Sequence, residues 1–74
     1  MTDITLLSKP GCVQCTAVAR RLIANGVEFE KIDVTQDPEW LAKLEERGIQ
    51  RVPVTVKGDT WIEGFDPDGL ETLF

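Results

Sequence analysis

The sequence predicts an α/β fold in the order β-α-β-α-β-β-α, a four-stranded mixed sheet flanked by three helices. Three observations predict it. A short apolar run, Ile4-Thr5-Leu6-Leu7, is followed by a stretch with helical apolar spacing and then by a second strand-like stretch. Asp37-Pro38 and Asp66-Pro67 each have the form of a helix opening. Between them, Gly58-Asp59 separates two β-prone stretches at hairpin spacing. A strand–helix–strand start implies a parallel pair with a right-handed crossover, and the hairpin adds antiparallel strands to the same sheet.

Each element has its own local cause. The first strand is bounded by Pro10-Gly11. Cys15, Val18, Ala19, Leu22 and Ile23 then fall at i, i+3, i+4, i+7 and i+8, the stripe of an amphipathic helix. Asn25-Gly26 closes that helix with residues that tolerate the left-handed conformation. From Val27 to Val34, Val27, Phe29, Ile32 and Val34 roughly alternate with charged residues, which reads as the second strand. Asp37 is an N-cap acid and Pro38 takes the first helical position, where its missing N–H costs nothing. Leu41 and Leu44 give this helix a thin apolar stripe, with Trp40 beside it, and Gly48-Ile49 supplies its stop and closing contact. Val52 to Val56 and Thr60-Trp61-Ile62 form the hairpin strands. Leu70, Leu73 and Phe74 supply the buried side of a short last helix.

The totals narrow the function. A chain of 74 residues makes one domain, spanning 1–74. Its net charge is −5, and its 8 bases never cluster, which argues against a nucleic-acid surface. No run of about 18 apolar residues occurs, and the N-terminus lacks a charged region followed by an apolar one. Nothing in the sequence exports or anchors the chain, so the expected compartment is the cytoplasm, with no membrane association. There is no histidine, which removes Cys–His catalysis and most zinc-enzyme designs.

The 2 cysteines carry the chemistry. A bridge between Cys12 and Cys15 closes almost no loop and removes little unfolded-state entropy, so it is a poor staple. Cys15 begins the helical stripe and should face the core. Cys12 lies at the strand-to-helix junction, where free backbone N–H groups and the positive end of the helix dipole favour thiolate over thiol. Lys9 is placed to add electrostatic support. Cys12 would then attack a disulfide and Cys15 would resolve the mixed disulfide. Two bland readings stand beside this one: a chance pair of core cysteines, and a metal site sharing thiolates between two subunits, since two thiols fill only half of a zinc shell.

The segment Ser8-Lys9-Pro10-Gly11-Cys12-Val13-Gln14-Cys15-Thr16-Ala17 resembles the active-site segment of the NrdH-redoxins, glutaredoxin-like proteins that behave as thioredoxins. The resemblance runs over nearly the whole chain. It implies a thioredoxin fold and electron donation to the large subunit of a class Ib ribonucleotide reductase. It also implies reduction by thioredoxin reductase, with NADPH behind it, no bound cofactor and a monomeric state. Val52-Pro53 resembles the proline that this family holds in cis beside the cysteines. The implied docking surface is Val13, Gln14, Val52, Pro53, Gly64 and Phe65. Two departures stand out. The family commonly reads Trp-Ser-Gly-Phe-Arg-Pro where this chain reads Trp61-Ile62-Glu63-Gly64-Phe65-Asp66-Pro67. Matching glycine and phenylalanine sets Trp61 one residue early, a shift that turns a strand side chain to the other face. Asp66 replaces the arginine. It serves as a helix cap, with Phe65 and Leu70 as a hydrophobic staple, or it echoes the acid with which glutaredoxins bind glutathione. A glutathione-dependent glutaredoxin is therefore the alternative enzyme.

Overall fold

The computed structural model describes residues 3–64 and 67–72. Along the chain run β1 (Ile4–Ser8), α1 (Val13–Ala24), β2 (Glu30–Asp33), α2 (Pro38–Glu46), β3 (Val54–Lys57), β4 (Thr60–Glu63) and α3 (Pro67–Glu71). The strands form one sheet in the order β2-β1-β3-β4. β1 pairs in parallel with β2, Ser8 opposite Asp33, and antiparallel with β3, Leu7 opposite Val54. β4 returns antiparallel along β3, with Val56 opposite Trp61. The predicted element order and mixed sheet are those observed.

β1 lies between two strands and is covered on both faces, which is why it reads as a continuous apolar run. Successive side chains point to opposite faces. Ile4 and Leu6 therefore join Val18, Leu22, Ile62 and Leu70 under α1 and α3. Leu7 joins Val34, Leu44, Ile49, Val54 and Val56 on the α2 side.

Several local expectations change. The second strand is shorter than Val27–Val34. Val27 and Phe29 pack on the α1 face whereas Ile32 and Val34 belong to the α2 face, so the apparent alternation switches parity midway. The strand ends because the Asp33 carboxylate accepts both the Thr35 N–H (2.9 Å) and its hydroxyl (2.6 Å), bending Val34–Gln36 into a 3-10 turn. The hairpin begins at Val54 rather than Val52, since Pro53 has no N–H to give a ladder. Ile23 is 67% exposed, and the inward stripe of α1 ends at Leu22. In α2 the inward pair is Trp40 and Leu44, while Leu41 is 42% exposed.

The helix ends follow their expected chemistry. The Asp37 carboxylate accepts the Trp40 N–H at 3.2 Å. Behind α2, Gly48 N–H donates to Glu45 O (3.0 Å) and Ile49 N–H to Leu44 O (2.9 Å), with Ile49 buried. Behind α1, Asn25 stays on the ordinary side of φ at −98° and caps through its side-chain amide on Arg21 O, leaving Gly26 as the left-handed residue. Leu70 is buried as expected, whereas Leu73 and Phe74 lie outside the described residues. Among the described residues, no helix is long and apolar enough to cross a membrane.

Candidate active site

The central strand delivers the cysteines. After Ser8 the chain leaves β1, turns at Gly11 with φ +73°, and enters α1. That backbone angle is open to glycine and strained for residues with a Cβ. Cys12 is the N-cap of α1, in extended conformation, and its Sγ accepts the Cys15 N–H at 3.1 Å. Its carbonyl accepts the Thr16 N–H and hydroxyl, both at 3.3 Å. No acidic residue stands in the first turn of α1, so nothing there opposes negative charge on that sulfur.

Cys12 and Cys15 form a disulfide, with Cα atoms 5.2 Å apart. The two ends differ in access: Cys15 is 2% exposed, whereas Cys12 is half-buried at the surface. An attacking or attacked sulfur needs reach, and only Cys12 has it. The described residues contain no group of three or more metal-ligating side chains.

The predicted docking residues divide. Val13 is 83% exposed beside Cys12, and Gln14 faces solvent. The Val52–Pro53 peptide is cis, with Pro53 buried and Val52 half-buried. Gly64, half-buried with φ +69°, donates its N–H to Pro53 O at 2.7 Å. Phe65 and Asp66 lie outside the described residues, and with them the staple and the glutathione-type acid. Lys9 is exposed and lines three hollows. One of about 300 Å³ holds Cys12, Cys15 and Thr16, and one of about 500 Å³ runs past Val52 to Leu41, Leu44 and Arg51. The third, about 270 Å³, lies against Ser8 and Asp33. A hollow of about 610 Å³ between Asp3, Lys57 and Thr72 opens at the other end of β1 and carries no thiol.

Sequence reasoning missed one residue at the site. Lys31, on β2, lines the hollow that holds both cysteines. The signal was present in the parity switch of the second strand, which places Lys31 on the α1 face together with Phe29.

Trp61 faces α2, as the one-residue shift requires. Its ring lies 6.0 Å from that of Trp40, inclined at 56°, against the α2-side core. Arg47 sits over Trp61 at 4.1 Å and Lys43 over Trp40 at 4.3 Å. Ile62, which takes the place of the family's tryptophan, is buried under α1.

Comparison with known proteins agrees with this geometry. A glutaredoxin family model matches residues 4–62. The glutaredoxin-like protein NrdH of Escherichia coli K12 is 37% identical over 70 residues, covering 95% of this chain and 86% of that protein. NrdH of Lactococcus lactis subsp. lactis is 34% identical over 70 residues, covering 95% of this chain and 97% of its own. The solved structure of E. coli NrdH-redoxin superposes with a TM-score of 0.90 at 37% identity, over 96% of this chain and 93% of that one. A thioredoxin-like sheet, a disulfide on the first turn of its first helix and these relatives together place the chain in the glutaredoxin family, among the NrdH-type thiol–disulfide oxidoreductases.

Proposed function

We propose that this protein is a dithiol reductant of protein disulfides in the cytoplasm, acting as a monomer without a bound cofactor. In the reduced state Cys12 is the nucleophile. Its thiolate attacks one sulfur of a client disulfide, forming the Cys12–client bond and releasing the other client sulfur as a thiolate, which takes a proton. Cys15 then loses its proton and attacks the Cys12 sulfur. The Cys12–Cys15 bond forms, the mixed disulfide breaks, and the client leaves as a dithiol with two electrons gained. Val52, Pro53, Val13, Gln14 and Gly64 are the docking residues, with Phe65 the further one that the family resemblance implies, and Lys9 supports the Cys12 thiolate.

The observation that carries this reading is the asymmetry of the pair: a half-buried Cys12 whose sulfur accepts a helix N–H, bonded to a buried Cys15. The client that the family resemblance implies is the large subunit of a class Ib ribonucleotide reductase. The favoured reductant is thioredoxin reductase, fed by NADPH, in keeping with the thioredoxin-like activity profile of the E. coli relative.

A coupled reduction assay on the oxidised protein tests the reductant. One arm supplies NADPH with thioredoxin reductase; the other supplies NADPH, glutathione and glutathione reductase. Turnover in the first arm alone is expected. Turnover in the second alone overturns the thioredoxin-like reading and makes the protein a glutathione-dependent glutaredoxin.

A further inference from the structure

We infer that Lys31 is a second cation of the redox centre, a positioning residue that holds Cys12 as thiolate once the disulfide is reduced. Lys31 and Lys9 line the hollow of the cysteines from different elements. Lys9 comes from the loop after β1, and Lys31 stands on β2 opposite Leu6. Both line the hollow of about 300 Å³ that contains Cys12, Cys15 and Thr16, and both line the adjoining hollow of about 270 Å³. Ile32 packs toward α2, so the alternation of β2 sends Lys31 toward α1.

The charge balance around the thiols is the reverse of that of the molecule. The chain carries −5 overall, yet the charged groups lining these two hollows are Lys9, Lys31 and Asp33. The Asp33 carboxylate is engaged by the Thr35 N–H and hydroxyl, and the first turn of α1 has no acid. Among the described residues neither lysine makes an ion pair. Two ammonium groups against one carboxylate leave the lining net positive, and a net positive surround favours the anionic form of a sulfur in it. An opposite charge in close contact lowers an acid's pKa by about 1–3 units, and solvent screening of an exposed lysine makes the effect smaller than that.

This inference rests on Cys12 being the attacking thiol, and the test separates the two claims. The fully reduced protein is alkylated with iodoacetamide, which is uncharged, from about pH 4 to pH 9, and the labelled cysteine is mapped by mass. Lys31→Met should raise the midpoint of Cys12 alkylation by about 0.5–1 unit, roughly three- to tenfold less thiolate below the midpoint. It should also make the protein a stronger reductant, because the reduced form loses stabilisation. Lys31→Arg should keep the native midpoint. Lys57→Met removes the same charge at the other end of β3 and should leave the midpoint in place. An unmoved midpoint in Lys31→Met, or an equal rise in Lys57→Met, would overturn the role of Lys31. First labelling at Cys15 would instead overturn the nucleophile assignment and this inference with it.

Discussion

The backbone N–H of Gly64 donates to the carbonyl of Pro53 at 2.7 Å, so the end of β4 is fastened to the cis proline that precedes β3. The hairpin thereby carries the proposed docking residues as one piece: the cis peptide at its start and the glycine at its finish are joined across it.

Gly64 holds φ at +69°, and a Cβ built there meets nothing within 4 Å. Gly64→Ala therefore costs only the backbone conformation, about 1 kcal/mol. Urea unfolding should show a lower midpoint with an unchanged slope. A loss above about 3 kcal/mol would mean that more than the φ angle is at stake.

The two cysteines should fail differently when replaced. Cys12→Ser is expected to lower kcat/KM for disulfide reduction by about 1,000-fold or more, since a hydroxyl is not ionised near neutral pH. Cys15→Ser should attack once and stop, leaving a client–Cys12 adduct visible in the intact mass. Full activity in Cys12→Ser would sink the mechanism.

Leu22 and Ile23 are neighbours on α1 with opposite fates, Leu22 at 0% exposure and Ile23 at 67%. Leu22→Ala should cost about 2–5 kcal/mol and Ile23→Ala less than about 0.5. Chemical denaturation of the two variants checks this, and comparable losses would contradict the packing.

Arg47 lies over the Trp61 ring at 4.1 Å. Arg47→Ala should cost about 0.5–1 kcal/mol, the value of an exposed cation–π contact, and should shift the tryptophan emission as the ring gains water. An unchanged spectrum would argue against the contact in solution.

The legible parts of the sequence were those with a local cause. Asp37-Pro38, Gly48-Ile49 and Gly58-Asp59 each carry their own hydrogen-bonding or dihedral reason, and each stands where it was expected. The Cys12 position followed from one strand end and one helical stripe. What did not read through depends on partners distant in the chain. Ile23 and Leu41 match a helical stripe, but whether a stripe is two or three residues wide is decided by what packs against it. Lys31 was hidden for the same reason. A lysine in a strand reads as a solvated charge until β1 and α1 bring the cysteines to it.

β1 occupies the middle of the sheet, and its pairing with β3 matches Ile4 to Lys57 across most of the chain. During synthesis the cysteine pair is therefore made before the surface proposed to hold a client. A ribosome-bound N-terminal half carries Cys12 and Cys15, but Pro53 and Gly64 have yet to be joined to it. The surface proposed to hold a client is assembled only when the last third of the chain has been released and folded back onto β1.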